Sequence, residues 1–261
     1  PTATFEDMAL TAAQLGVPVS ATAVEKRFTR PLADFLRDAL EVALQQMMAA
    51  APVAVSLLER FSAVFIGDSS SIALPDELQS EFPGRGGTGD SGLAALKLQV
   101  RWNLQTGELL QLLIEAGKAS DLKSPITQQD VQAGSLEIFD LGYFSLDRFR
   151  RLNAGGAFYI SRLHPGTAVL DQQGVSLNLC TYLTSQAIGG VVDMPVQLGA
   201  KDRLPSRLIA IRMPEEIANR RRQKGRENAA RHGRVASAEY LALLCWTLFV
   251  TNLPVDQLTW K

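Results

Sequence analysis

The sequence predicts an α/β chain of the α+β kind, a mixed sheet with helices packed on it, preceded by a small helical region. Two observations carry that expectation. From Phe61 onward the periodic segments run strand, strand, strand, crossover, strand, helix, strand, an order that builds a mixed sheet covered by helices. In addition, two short apolar runs, FSAVFIGD and SLEIFD, each deliver one aspartate, Asp68 and Asp140, 72 positions apart (140 − 68). Two carboxylates at the ends of buried strands are what a protein needs to hold a divalent metal beside a phosphodiester.

In chain order, Phe5 to Leu15 and Ala21 to Phe28 read as two short helices around LGVPVS, with Gly16 for the turn and Ser20 as an N-cap. The outline is that of a helix-turn-helix, with Lys26, Arg27 and Arg30 near its second helix, and a plain helical hairpin explains it equally well. A longer helix follows from Pro31 through LADFLRDALEVALQQMM, with apolar residues at Leu32, Phe35, Leu36, Ala39, Leu40, Ala43 and Leu44.

FSAVFIGD is apolar at nearly every position, as a strand buried on both faces should be, and the serines that follow, Ser69 to Ser71, read as turn and capping hydroxyls. LKLQVRWNL alternates strictly, with Leu96, Leu98, Val100, Trp102 and Leu104 on one face and Lys97, Gln99, Arg101 and Asn103 on the other. A turn at Gln105 to Gly107 joins it to ELLQLLIEAG in a predicted antiparallel hairpin. EFPGRGGTGDSG, before the hairpin, lacks the GK[ST] ending of a phosphate loop and is expected to be a surface loop. After SLEIFD, Ser145 caps a helix whose Leu146, Phe149 and Leu152 point inward and which Gly155 can end; AFYISRL returns as a strand. If the strands that carry Asp68 and Asp140 are parallel neighbours, both carboxylates emerge at one carboxyl edge of the sheet. The turn-rich stretch from Pro165 predicts a strand-rich insertion, MPEEIANRRRQKGRENAARHGR a helix with an acidic first turn, and ALLCWTLFVTNLP a last strand. Four regions result: helical 1–58, the first part of the core 59–164, a β-rich insertion 165–212, and the basic helix with the last core strand 213–261.

Composition fits one large or two ordinary domains: 261 residues, 46% of them hydrophobic, can fill a substantial core. The apolar runs break well before the roughly 18 residues a membrane span needs, and no cationic leader precedes them, so an intracellular protein without a membrane partner is expected. The first residue is Pro1, which suggests a fragment or a processed chain. Two cysteines and two histidines lack zinc-site spacing, and Cys180 and Cys245 read as small buried residues. Net charge is −1, yet NRRRQKGRENAARHGR, residues 219–234, holds seven Lys or Arg against Glu227, a local +6 that leaves −7 for the rest. Such polarity suggests a segment that meets a polyanion, with Arg220, Arg221, Arg222, Lys224, Arg226, Arg231 and Arg234 as the contacts. Seven cations with one counter-charge leave little scope for internal pairing; a solvated helix face is the plainer account.

FIGDSSSIALPDEL, KLQVRWNLQTGEL, FDLGYFSLDRFRRL, YISRL, RRRQKGR and LFVTNLP, in this order from about Phe61 to Pro254, resemble the DDE transposases of bacterial insertion sequences, in the insertion sequence four branch. The resemblance implies a ribonuclease-H-like core with a β-rich insertion, and cut-and-paste chemistry on double-stranded DNA, both transposon ends and target. It implies three carboxylates around two Mg²⁺ or Mn²⁺ ions, with Asp68 and Asp140 as the first and second, and a cytoplasmic, nucleoid-associated protein that can form a homodimer. The third carboxylate of the family is a glutamate on a helix after the TNLP segment. No matching acid stands between that segment and Lys261, so the chain is expected to be truncated, to bind metal weakly and to have little strand-transfer activity. A non-catalytic DNA-binding or dimerisation remnant of a transposase is the alternative. An unrelated metal-dependent nuclease or phosphatase would need a further carboxylate or histidine cluster, which the sequence does not supply.

Overall fold

The computed structural model describes residues 3–47, 55–86, 93–186 and 190–259. The chain divides into two compact units, Pro1–Ala50 and Ala51–Lys261. The first holds α1 (Phe5–Gln14), α2 (Ala21–Glu25) and α3 (Arg30–Met47). Thr4 and Asp7 form a reciprocal capping box that starts α1. Gly16 takes the left-handed φ of +81° that the turn after α1 requires, and Ser20 accepts the Ala23 N–H to start α2. Phe5 and Phe28 meet edge to face, 5.2 Å between centroids.

The second unit is built on one sheet. Its strands are β1 (Val64–Leu74), β2 (Ala94–Asn103), β3 (Glu108–Ala116), β4 (Leu136–Phe139), β5 (Phe158–Arg162), β6 (Val169–Leu170), β7 (Val191–Leu198), β8 (Leu204–Arg212) and β9 (Trp246–Thr251). They lie in the order β3-β2-β1-β4-β5-β9-β8-β7-β6. β1, β4 and β5 are mutually parallel, whereas β2, β3 and the group β9 to β6 pair antiparallel. The sheet is therefore mixed, as the element order predicts. The helices are α4 (Leu146–Ala154), α5 (Leu179–Ser185), α6 (Glu215–Arg231) and α7 (Ala238–Leu243).

Register sorts the side chains into two faces. On one face Phe139, Tyr159, Val196, Leu198, Leu208 and Val250 form the main core with Phe149 and Leu152 of α4. Tyr159 and Phe149 stack, 4.1 Å between centroids at 4°. On the other face Val64 and Leu136 are buried with Phe61 and Leu253, while Ile138, Phe158 and Ile160 are partly covered.

The structure corrects two expectations. β1 does not end at Asp68: it continues to Leu74, and Ser69, Ser70 and Ser71 pair with Gln99, Leu98 and Lys97 of β2 as strand residues. Serine is common in turns, but here the β2 ladder holds the backbone extended. Cys180 and Cys245 are half-buried, and Cys245 Sγ accepts a hydrogen bond from Arg222 Nη1 at 2.8 Å. Of EFPGRGGTGDSG, residues 87–92 lie outside the described residues; residues 81–86 form a loop with one isolated bridge, Pro83 to Ala94.

Candidate active site

Val64↔Leu136 through Gly67↔Phe139 is the parallel register between β1 and β4. Asp68 and Asp140 each follow the last registered residue, so the two carboxylates stand level on adjacent strands. Neighbouring strands lie about 4.8 Å apart. Asp68 is still within β1, and Asp140 keeps an extended backbone (φ −77°, ψ 169°). Strand alternation therefore carries through both, and each aspartate projects on the face of Val64, Ile66, Leu136 and Ile138. Both are exposed. Asp68 Oδ1 accepts the Ser69 N–H at 2.8 Å, and Asp140 Oδ1 lies 3.9 Å from Arg162 Nη1 at the end of β5.

Beneath this edge, on the opposite face, lies a buried polar layer. Lys97, Gln99 and Arg101 of β2, the polar half of the alternation, are more buried than Leu96, Leu98 and Val100. The Tyr143 hydroxyl donates to Gln99 Oε1 at 3.0 Å, and Gln99 Nε2 donates to Glu115. Burial pushes the Tyr143 phenol up to about 12 against the opposing hydrogen bond to Ser69, so Tyr143 stays a neutral donor at working pH. Lys97 Nζ bonds Asp121 Oδ1 at 3.0 Å. Glu137 of β4 receives Arg101 of β2 at 3.3 Å and Arg148 of α4 on its other oxygen. The two guanidiniums lie over the Phe65 and Phe139 rings, 4.1 and 4.6 Å from the centroids. Ser69 leads back to Asp68, and Tyr143 stands three residues after Asp140. The layer thus braces both strands that carry the aspartates.

The basic residues of α6 divide into two sets. Arg221 Nη1 donates to Thr247 Oγ1 at 3.0 Å and to the Trp246 carbonyl at 3.3 Å, tying the helix to β9. Arg222 bonds Glu215, Asn219 Oδ1 (2.6 Å) and Cys245, and Arg220 pairs with Glu216 at 3.1 Å. Internal pairing is therefore larger than the charge count of 219–234 suggests, because its partners Glu215 and Glu216 lie just upstream in the same helix. Lys224, Arg226, Arg231 and Arg234 are exposed.

A cavity of about 680 Å³ lies by Phe158 at the opposite end of β5, and neither aspartate lines it. Among the described residues no cluster of three or more His, Cys, Asp or Glu could hold a metal, and no helix is long and apolar enough to cross a membrane. Sequence reasoning assigns no site role to Arg162, Tyr143, Gln99 or Glu137. For Arg162 a signal is present, since it ends the strand AFYIS that follows the helix after Asp140.

Residues 59–258 match the family described as the transposase DDE domain. The transposase of insertion sequence element IS231B from Bacillus thuringiensis subsp. berliner is 25% identical over 261 residues, covering 93% of this chain and 54% of the relative. That of IS1151 from Clostridium perfringens is 26% identical over 220 residues, 76% of this chain and 46% of the relative. A putative transposase, InsL of IS186B from Escherichia coli (strain K12), is 31% identical over 133 residues, 48% of this chain and 36% of the relative. The chain spans about half the length of the IS231-type relatives. With a family match across most of its length and a mixed sheet consistent with a ribonuclease-H-like core, the chain belongs to the transposase DDE domain family.

Proposed function

We propose that this chain supplies the first two metal-binding carboxylates, Asp68 and Asp140, of a site that cleaves and joins DNA phosphodiesters during insertion-sequence transposition. One observation carries the reading: the parallel register of β1 and β4 sets both carboxylates level at one edge and on one face. Asp68 and Asp140 offer hard oxygen donors open to water, which fits Mg²⁺ or Mn²⁺ ions that keep several waters. Two such ions would activate the attacking oxygen and stabilise the leaving one.

The chain's own residues have separable tasks. Asp68 and Asp140 bind and space the ions, and the layer of Tyr143, Gln99 and Glu137 holds their strands in register. The family resemblance places the third carboxylate on a helix after the TNLP segment. The aspartates project on the sheet face where Leu96, Leu98, Val100 and Ile114 are only partly covered, and a helix packed there would reach them. Arg220, Lys224, Arg226, Arg231 and Arg234 grip phosphates without reading bases, whereas Arg221 and Arg222 first hold α6 in place.

Mn²⁺ titration by calorimetry tests the reading. Asp68→Asn and Asp140→Asn are each expected to abolish saturable Mn²⁺ binding while the thermal melt stays close to wild type, because both side chains are exposed. Unaltered Mn²⁺ binding in either variant would sink it. A chain that binds metal and DNA but shows no cleavage, even with the third carboxylate supplied, would favour the non-catalytic DNA-binding reading.

A further inference from the structure

Asp140 has a cationic neighbour for which the two-carboxylate site has no stated use. β5 runs parallel to β4 with Ile138↔Ile160 and Phe139↔Ser161 in register, so Arg162 stands beside Asp140 at the same edge and on the same face. Their closest atoms are 3.9 Å apart, and the side chains are 53% and 62% exposed. A pair so long and so open to water contributes little to stability. Arg101 and Arg148 differ: both are buried and fixed on Glu137. Among the described residues the ionic partner of Arg162 is Asp140, a carboxylate that the proposed reaction gives to a metal.

We propose that Arg162 grips the substrate phosphodiester at this edge, and that it becomes free to do so when a divalent cation occupies the aspartates. The proposal rests on the two-carboxylate reading and deepens it. In the metal-free chain Arg162 leans toward Asp140, as observed. Once cations neutralise Asp68 and Asp140, its Coulomb partner is gone, and a planar fork of N–H donors faces the position where a phosphate must lie to meet the same cations. Guanidinium geometry matches two phosphate oxygens, which an ammonium cannot do. Metal loading and phosphate capture are thereby coupled through one side chain.

The test uses the full chain and a fluorescently labelled DNA duplex, with affinity read by anisotropy in chelator and again in Ca²⁺. In chelator, Arg162→Ala is expected to bind DNA as wild type does. In Ca²⁺, wild type should bind about tenfold more tightly than Arg162→Ala, the size of one charge-assisted contact, with Arg162→Lys between them. Mn²⁺ affinity measured by calorimetry should be equal or higher in Arg162→Ala, because a competing cation has gone. Weaker Mn²⁺ binding would make Arg162 a brace for Asp140 and overturn the proposal. So would a DNA deficit of the same size with and without Ca²⁺, or none at all. Asp68→Asn and Asp140→Asn separate the two levels. If they bind Mn²⁺ normally, the carboxylate reading falls and takes this one with it; if they lose Mn²⁺ while Arg162→Ala shows no Ca²⁺-dependent deficit, only the role of Arg162 falls.

Discussion

Tyr159 shows how far one side chain on β5 depends on burial. It is fully enclosed, stacked on Phe149, and its hydroxyl lies 2.7 Å from Ser206 Oγ. Burial pushes the phenol up to about 12, with the Ser206 hydrogen bond opposing. The folded state therefore keeps a proton that the unfolded chain releases near pH 10. The stabilisation is complete below pH 10 and is lost as pH rises toward 12, at about 1.4 kcal/mol for each pH unit between those two values and so about 3 kcal/mol in all. Urea unfolding at pH 9 and pH 12 measures this loss. Tyr159→Phe should be about 1 kcal/mol less stable than wild type at pH 9, having lost its hydrogen bond, and should lose less of its stability on going to pH 12. A wild-type loss no larger than that of Tyr159→Phe would show that Tyr159 does not titrate with unfolding.

At the scale of elements, the junction of β2, β4 and α4 turns on Glu137, a single carboxylate between two buried guanidiniums. Glu137→Ala leaves Arg101 and Arg148 without a counter-charge and is expected to cost about 3–5 kcal/mol in urea unfolding. Replacing all three by apolar residues of similar size (Arg101→Met, Glu137→Leu, Arg148→Met) should cost less than Glu137→Ala alone, since desolvation offsets most of what an intact buried triad gains. A triple variant less stable than the single one would mean that the triad contributes net stability. The same elements show what the sequence made legible. Strict alternation in LKLQVRWNL located β2, and the apolar runs located the first half of β1, which leads into Asp68, and β4, which Asp140 follows, because periodicity and apolar content are local properties. Which face of β2 is the more buried is not local: Lys97, Gln99 and Arg101 are covered because Asp121, Glu115, Tyr143 and Glu137 arrive from elsewhere to satisfy them. Ser69 to Ser71 misled for the same reason, since only the β2 partner makes them strand. The level placement of Asp68 and Asp140 depends on β1 and β4 being parallel neighbours, which sequence order allowed but did not require.

Over the whole molecule the charge is nearly balanced, at −1, yet residues 219–234 alone carry +6. That segment holds two kinds of cation. Arg221 is bonded to β9 and Arg222 to Glu215, Asn219 and Cys245, so removing either loosens α6 from the sheet. Lys224, Arg226, Arg231 and Arg234 face water, as does Arg220 beside Glu216, and under the proposed function they exchange counterions for phosphates. Each phosphate contact on a duplex adds about 0.9 to the slope of log affinity against log salt concentration. Changing those four to Gln should therefore flatten the slope by about 3 to 4 and leave the melting temperature unchanged. Arg221→Gln should do the reverse, lowering the melting temperature through the loss of two hydrogen bonds while moving the slope by no more than one contact's worth. Equal effects of the two changes on both readouts would dissolve the division. If the division holds, a local +6 does not translate into seven DNA contacts: part of the positive charge builds the helix's attachment to the sheet, and only the rest is available to a polyanion.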